Sequence, residues 1–190
     1  MRLRRSGALC LCGLAVWTAP IRAKEIPPPA YQLAAKDAGI PPAVLYAVAL
    51  QESGIDLRGR RIPWPWTLNV SGQARRFQTR SVACANLQRA LQEMPATRID
   101  AGLGQINVGY HAHRFVHPCD LLDPYRNLAI AAAILREHHA SGEDWLLAIG
   151  RYHRPAGGAP AIRYRHSVHQ HLVRVHGSPG PVAASRSSSP

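Results

Sequence analysis

The chain has 190 residues, which is enough for one ordinary domain but too few for two domains of typical size. Its 23 lysines and arginines outnumber 11 aspartates and glutamates, so the net charge is +12. This balance suits an anionic partner, such as wall peptides with free carboxylates, anionic lipid or nucleic acid. The basic residues are spread along the chain without a base-reading motif, which argues against nucleic acid.

The first 23 residues have the order of a secretory signal, with a basic start, an apolar run and a small residue before the cut. Arg2, Arg4 and Arg5 supply the charge, GALCLCGLAVWTA follows, and Ala23 precedes Lys24. The run is too short to span a bilayer as a stable helix, although an uncleaved membrane anchor is the alternative. Cleavage after Ala23 would remove four arginines and lower the net charge to +8. We therefore expect an exported, periplasmic protein.

The cysteines divide into two pairs. Cys10 and Cys12 lie in the predicted signal segment, and Cys84 and Cys119 remain after its removal. An even pair in an exported chain predicts a disulfide, with two separate buried thiols as the alternative. In the chain-entropy model a loop of this size contributes on the order of 3–4 kcal/mol.

The first predicted elements are two helices. One lies within 30–38 and ends at Gly39. The second begins at Pro41 and Pro42, because the first turn of a helix accepts proline, and it runs to about Ser53. Segment 54–80 is different: it is punctuated by glycine and contains PWPW, and TLNV and RFQTR around SGQA predict a small hairpin.

Helices return after this excursion. Ser81 is the predicted cap of a third helix, whose apolar stripe begins at Ala83. AGLGQINVGY is predicted to be a glycine-punctuated turn without regular structure. Asp123 followed by Pro124 predicts the start of the most apolar helix, which is expected to end at Gly142.

Two more helices complete the predicted domain. EDWLLAIGRYH forms one and AIRYRHSVHQHLVRVHG forms the last, while SPGPVAASRSSSP has the composition of a disordered tail. The sequence therefore predicts a single, mainly α domain over 24–177 with a small β-hairpin or irregular excursion. A disordered tail is predicted over 178–190.

A carboxyl group ends the apolar face of the second helix. Leu45, Val48 and Ala49 mark this face, and Glu52 is the next residue on it. Burial disfavours the ionised carboxylate and raises its pKa, which suits a general acid. A solvated helix end or an ion pair with a nearby arginine is the alternative.

Two later motifs place polar residues where a ligand could approach. In GLGQIN, two glycines one residue apart allow close backbone approach, and Gln105 and Asn107 present amides beside it. In IGRYHRP, Tyr152 either sends its hydroxyl into a cleft or packs on the core. Each motif is weak evidence by itself.

In this order, QES, GLGQIN and RYH resemble the soluble lytic transglycosylase family, which has a lysozyme-like fold. In that family a glutamate before serine ends a helix, a Gly-Leu-Met-Gln turn follows, and an Ala-Tyr-Asn element comes later. Here Gly104 replaces the methionine and His153 replaces the asparagine. GRYH and PWPWTLNV are similar to stretches of the small exported transglycosylases that accompany conjugation and type IV secretion machinery.

The resemblance implies a lysozyme-like, cofactor-free enzyme that cleaves peptidoglycan between N-acetylmuramic acid and N-acetylglucosamine, leaving 1,6-anhydro ends. It also implies local opening of the wall for a conjugation or secretion apparatus. Glu52 would be the acid and then the base, with Tyr152 hydrogen-bonding near it to orient it. The remaining matched positions would hold substrate or steady the site: Ser53, Gly104, Gln105, Asn107 and His153. Trp64 and Trp66 would either stack on sugars or pack in the core.

Other interpretations remain open from the sequence. Asp56 or Asp100 as a second carboxylate would make the enzyme a hydrolysing muramidase. A non-catalytic wall-binding scaffold of the same apparatus would keep the fold without the activity. The histidine-rich stretch HAHRFVHPC has no standard ligand spacing, so no metal site is predicted.

Overall fold

The computed structural model describes residues 24–176. The predicted signal segment, 1–23, and the predicted tail, 178–190, lie outside the described residues. The helices and strands, in chain order, are α1 Pro29–Ala38, α2 Pro42–Ser53, β1 Gly54–Leu57, β2 Arg60–Pro63, β3 Thr67–Val70, β4 Gln73–Arg76, α3 Arg80–Glu93, β5 Ile99–Ala101, β6 Ile106–Asn107, α4 Pro124–Glu137, α5 Trp145–His153 and α6 Ala159–His176. Short 3₁₀ turns lie at Ala96–Arg98, Ala112–Arg114 and Pro118–Leu122. The predicted mainly α fold class with a small β excursion is confirmed.

Helix α2 is the centre of the hydrophobic core. Every residue from Val44 to Leu50 is buried, as expected for a helix that is apolar on all sides. It packs against the other helices α1, α4, α5 and α6. Gly39 ends α1 in the left-handed conformation, with φ 66°, and its N–H bonds back to the last turn of α1. The turn at Gly39 brings α2 back across α1. Because α2 is buried among the other helices, core packing holds its C-terminal end in place.

The excursion after α2 contains more β-structure than predicted. Strands β1 and β2 form one antiparallel hairpin, and the other strands form an antiparallel sheet in the order β4-β3-β5-β6. The predicted hairpin is present, but its second strand is Gln73–Arg76 and not RFQTR. Ser71 and Gly72 both have positive φ, as a two-residue hairpin turn requires, and this fixes the register. AGLGQINVGY contains the predicted turn, at 102–105, but Ala101 belongs to β5 and Ile106–Asn107 form β6, so the prediction that the stretch has no regular structure is wrong.

The two faces of the four-stranded sheet differ in polarity. Side chains alternate along a strand, so one face carries the buried residues Leu68, Val70, Ile99, Ala101 and Ile106. The opposite face carries a row of polar side chains. Asn69 pairs with Asp100, and Asp100 pairs with Asn107. The sheet thus turns one apolar face to the core and one polar face away from it.

Two predicted helix ends are shifted. Thr79, not Ser81, caps α3, because its hydroxyl accepts the N–H of Val82. Helix α4 begins at the predicted Asp123 cap but ends at Glu137. Gly142 has φ 78° and lies in the turn that follows. Only the ends of these helices were mispredicted.

A disulfide joins helix α3 to the 3₁₀ turn that precedes α4. Cys84 on α3 bonds Cys119 in the 3₁₀ turn before α4, as the sequence predicts. Among residues 24–176, no single helix has the length and hydropathy to span a bilayer. Helices α1 and α2 have that length and hydropathy only when they are taken together, and a bend of 118° separates them.

Candidate functional site

The carboxyl group of Glu52 lies in the last turn of α2, at the edge of the core. The hydroxyl of Tyr164 on α6 donates a hydrogen bond to Glu52 Oε1 over 2.5 Å. Burial raises the pKa of Glu52 to about 7; the bond from Tyr164 lowers it, and the charge of Asp100 raises it. A carboxyl with a pKa near neutrality can both give and accept a proton at physiological pH.

Tyr164 is a site residue that the sequence analysis did not identify. It is 7% exposed and lies on the buried stripe of α6 with Val168 and Leu172. A buried tyrosine needs a partner for its hydroxyl, so a tyrosine on an otherwise apolar stripe was the available signal. The ring of His153 stacks on Tyr164, with centroids 4.5 Å apart and planes at 4°. His153 itself is exposed on its outer side.

Tyr152 bonds to the turn at 102–105 between β5 and β6, which we call the glycine turn, and not to the candidate acid. Its hydroxyl donates to the carbonyl oxygen of Gly104 over 2.6 Å. Burial, followed by the charges of Glu52 and Asp100, raises the pKa of Tyr152. Tyr152 was expected to hydrogen-bond near Glu52 and to orient it; its hydroxyl bonds the glycine turn, and the hydroxyl that contacts the carboxyl belongs to Tyr164.

The structure gives a reason for glycine at position 104. A Cβ there would lie 2.8 Å from Ala131 Cβ and 2.8 Å from the hydroxyl of Tyr152. Carbon atoms that close repel each other, so a larger residue would displace Tyr152 or the backbone. The departure from methionine at Gly104 thus accompanies the close approach of Tyr152 to the turn.

Asn127 on α4 hydrogen-bonds to the glycine turn, and it is a second residue that the sequence analysis did not identify. Its amide nitrogen donates to Ala101 O and Leu121 O, each over 2.9 Å. Its oxygen accepts the N–H of Gly104 over 2.7 Å. Asn127 is fully buried, so these bonds satisfy groups that water does not reach. A lone amide at the start of the apolar run NLAIAAAIL was the available signal.

Ser53 connects the end of α2 to the same turn. Its hydroxyl lies within hydrogen-bond distance of Ala49 O, at 3.0 Å, and of Leu103 O, at 2.8 Å. Ser53 is fully buried, so its contacts are internal. The end of α2, which carries Glu52, is thereby joined to the turn.

The side chain of Gln105 makes hydrogen bonds to the backbone of the glycine turn and of β3. Its amide nitrogen donates to Thr67 O over 3.1 Å and to Gly102 O over 2.8 Å. These bonds hold Gln105 in a left-handed conformation, φ 48°, that is uncommon for a residue with a side chain. Its amide nitrogen therefore stabilises the turn.

Asn107 is also committed to internal hydrogen bonds. Its nitrogen donates to Asp100 Oδ1 over 2.8 Å and to Thr97 O over 3.0 Å. Its oxygen accepts the backbone N–H groups of Gly109 and Tyr110. A ligand contact by the Asn107 amide would have to replace or share one of these bonds.

Asp100 is the second carboxyl group associated with Glu52. Burial raises the pKa of Asp100, while the bond from Asn107 and the charge of His153 lower it. Asp56, the other candidate, lies on strand β1 with its side chain 78% exposed, and it pairs with Arg61. Of the two aspartates, Asp100 is thus the one whose charge acts on Glu52.

The two tryptophans pack against each other beside the sheet. The rings of Trp64 and Trp66 meet edge to face at 5.8 Å, and Trp64 donates its indole N–H to Phe77 O. Both are partly buried. Within residues 24–176, no group of three or more His, Cys, Asp or Glu side chains is placed to hold a metal ion.

Comparison with known families identifies the chain. The family model described as Transglycosylase SLT domain matches residues 29–170, from the start of α1 into α6. The comparisons with curated proteins and with solved structures gave no match. The matched range contains Glu52, the glycine turn, Tyr152 and Tyr164, so the resemblance drawn from the three motifs is confirmed. The chain belongs to the SLT transglycosylase family and is a peptidoglycan lytic transglycosylase, a lyase that acts outside the cytoplasm.

Proposed function

We propose that Glu52 is the acid and then the base of a cleavage that leaves 1,6-anhydro-N-acetylmuramic acid ends. The observation that carries this proposal is the environment of its carboxyl group: burial brings the pKa to about 7, and Tyr164 fixes one oxygen. An ordinary solvated glutamate would be ionised at neutral pH and unable to donate. The raised pKa keeps a protonated fraction available.

The chemistry needs one proton carrier. Protonated Glu52 gives its proton to the glycosidic oxygen, and the bond from that oxygen to C1 of N-acetylmuramic acid breaks. The acetamido oxygen of the same sugar stabilises the positive charge that develops on C1. The 6-hydroxyl oxygen then bonds to C1 and returns its proton to Glu52. No water enters the product.

The neighbouring side chains position this carboxyl group. Tyr164 holds Oε1 and favours the ionised form that exists between the two proton transfers. Ser53 and Tyr152 each bind a carbonyl of the glycine turn, at Leu103 and Gly104. The turn and the acid therefore keep a fixed separation while the sugar reacts, which lowers the cost of orientation.

The direct test is digestion of purified sacculi by the exported form of the protein, followed by mass spectrometry of the sugar ends. We expect anhydro ends, and we expect Glu52→Gln to lower the rate by about 10²–10⁴-fold while binding to sacculi persists. Glu93→Gln, an exposed change on α3, is the matched control. Full activity of Glu52→Gln would exclude this residue as the acid.

Hydrolysis by a muramidase is a second candidate because Asp100 acts on the candidate acid. A second carboxylate can stabilise the cationic sugar long enough for water to attack C1. The same digestion separates the two outcomes, since hydrolysis leaves reducing ends. We expect Asp100→Asn to change the rate without changing the type of end.

We also propose export to the periplasm through the segment 1–23 and local wall opening for a conjugation or secretion apparatus. The signal-like order of residues 1–23 supports the first proposal, and the GRYH and PWPWTLNV stretches support the second. N-terminal sequencing of the exported protein should start at Lys24. Transfer efficiency of a deletion strain should be restored by the wild-type gene and not by Glu52→Gln.

A further inference from the structure

An open groove lies between α5 and α6, away from the face of α6 that meets Glu52. Its volume is about 440 Å³, within the size range of small-ligand pockets. Positions 162, 166 and 169 share one face of α6, because residues three and four apart are neighbours on a helix. This face is rotated away from the buried stripe that carries Tyr164. We call it the α5–α6 groove, and its lining residues include Asp144, Leu147, Ile162, Arg165, His166 and His169.

Arg165 is held in the groove by the close approach of α5 to α6. A Cβ at Gly150 on α5 would lie 2.9 Å from Arg165 Cδ and 3.0 Å from its Cγ. The aliphatic stem of Arg165 therefore lies directly against the α5 backbone, as long basic side chains do when they bury their carbon atoms and leave their charge in water. Because the stem has little room to move, the guanidinium group loses little rotamer freedom when it binds a ligand.

The charge of Arg165 is not neutralised within the described part of the chain. Arg165 takes part in none of the salt bridges found among residues 24–176. Asp144, which also lines the groove, accepts the N–H of Leu146 as the N-cap of α5. Residues 145–176 contain five arginines and no aspartate or glutamate. The groove thus offers an unpaired, planar guanidinium group to a ligand.

Apolar side chains lie beside this charge. Ile162 is 56% exposed and Leu147 is 37% exposed, although both line the groove. Exposed apolar residues next to an arginine on one concave surface are typical of protein-binding sites, in which arginine is enriched. His166 and His169 add ring nitrogens that can donate hydrogen bonds. The groove therefore matches a ligand that has both a carboxylate and a large apolar side chain.

We infer that the α5–α6 groove binds an acidic segment of a partner protein. A carboxylate of that segment pairs bidentately with Arg165, and a neighbouring apolar side chain fills the space beside Leu147 and Ile162. Wall stem peptides carry carboxylates but no large apolar side chain, so they match the charge of the groove and not its apolar part. Segments 1–23 and 177–190 contain no acidic residue, and a second copy has the same net charge of +12, so charge complementarity favours neither as the occupant.

The experiment identifies the ligand chemistry with a phage library of random dodecapeptides, selected on the exported form of the protein. We expect the enriched peptides to share an aspartate or glutamate beside a leucine, isoleucine or phenylalanine. By fluorescence polarisation, Arg165→Gln should weaken their binding at least about ten-fold, because a charge-assisted hydrogen bond is lost. Ile162→Ser should weaken it about ten-fold through lost apolar burial. Arg163→Gln, an exposed change on the same helix at a residue that does not line the groove, is the matched control and should keep the affinity.

Arg165→Lys keeps a basic stem against Gly150 but loses the planar fork, so it should also weaken binding, and it replaces Arg165→Gln if that variant folds poorly. Four results would overturn the inference: no joint enrichment of acidic and apolar residues, equal affinity of Arg165→Gln and the control, displacement of the peptides by a soluble wall stem tripeptide, or a dimer in sedimentation that Arg165→Gln abolishes. The last two would assign the groove to the wall and to a second copy.

Digestion of sacculi is run in parallel and should be equal for the wild type and Arg165→Gln, because the groove lies away from the face of α6 that meets Glu52. If the wild type cleaves no sacculi and the peptides still require Arg165, the proposed function fails while the groove stands.

Discussion

The helical part of the molecule, α1, α2 and α4 to α6, and the sheet part, β3 to β6, each contribute one carboxyl group to the site. The two parts influence the pKa of their carboxyl group in different ways. Glu52 lies in the last turn of the buried helix α2, and the hydroxyl of Tyr164 donates a hydrogen bond to its carboxyl group. Asp100 lies in a polar row of strands and receives the amide of Asn107. Burial raises both pKa values, and it brings that of Glu52 to about 7. A helix end set into a core suits a group that must keep its proton, whereas a strand position supplies polar neighbours for a charged group.

The largest expected effect is a loss of stability when the hydrogen bonds between the helical part and the sheet part are removed. Asn127→Leu removes the amide that joins α4 to Ala101 of the sheet and to the turn at Gly104. Buried carbonyl and N–H groups are then left without partners, and each costs about 1–3 kcal/mol. We expect the free energy of unfolding to fall by about 3–5 kcal/mol, measured by urea denaturation.

Asn86→Leu is the matched control, because the amide of Asn86 donates to the carbonyl of Val82 within the same helix, α3. Its loss should cost under about 1 kcal/mol. If both variants lose the same stability, Asn127 does not couple the helical part to the sheet part.

The next effect concerns Glu52 and changes with pH. Its pKa in the folded protein, about 7, exceeds the ordinary value of 4.5, so folding favours the protonated form. Its contribution to stability is complete below pH 4.5 and is lost as the pH rises through about 7. Glu52→Gln cannot ionise. We expect it to be more stable than wild type by about 2–3 kcal/mol at pH 8 and nearly equal at pH 4, by urea denaturation at both values.

Asp56→Asn is the control for this pH dependence, because the side chain of Asp56 is 78% exposed. It should show no comparable difference between the two pH values. A stability change in Glu52→Gln that is identical at pH 4 and pH 8 would contradict the buried environment described for this carboxyl group.

The parts of the fold that sequence predicts are those set by local chemistry. Gly39 ends α1 and Asp123 caps α4 because their conformational and hydrogen-bonding preferences act within one turn. Glu52 was identifiable for the same reason, since it closes an apolar helix face. Strands β5 and β6 were missed because β5 pairs with β3, about thirty residues earlier, and short pairing segments carry little local signal.

The site shows the same limit. Tyr164 meets Glu52 across 112 positions of sequence, and the turn carbonyl bonded by Tyr152 lies 48 positions away from it. Both tyrosines are near apolar helix positions, so their sequence contexts do not tell which hydroxyl reaches the carboxyl. That choice is made by how α5 and α6 pack on α2, which only the folded chain defines.

The smallest expected effect tests which tyrosine hydroxyl acts on the Glu52 carboxyl group, by comparing Tyr164→Phe with Tyr152→Phe. The bond from Tyr164 lowers the pKa of Glu52, so its removal should raise this pKa and move the alkaline decline of kcat/KM to higher pH. We expect kcat to fall about ten-fold, because the ionised carboxyl loses a charge-assisted hydrogen bond. Tyr152→Phe removes a bond to a backbone carbonyl and should leave the alkaline limb in place. If Tyr152→Phe moves the limb and Tyr164→Phe does not, the acid is governed through the glycine turn, and the sheet part would then control both carboxyl groups.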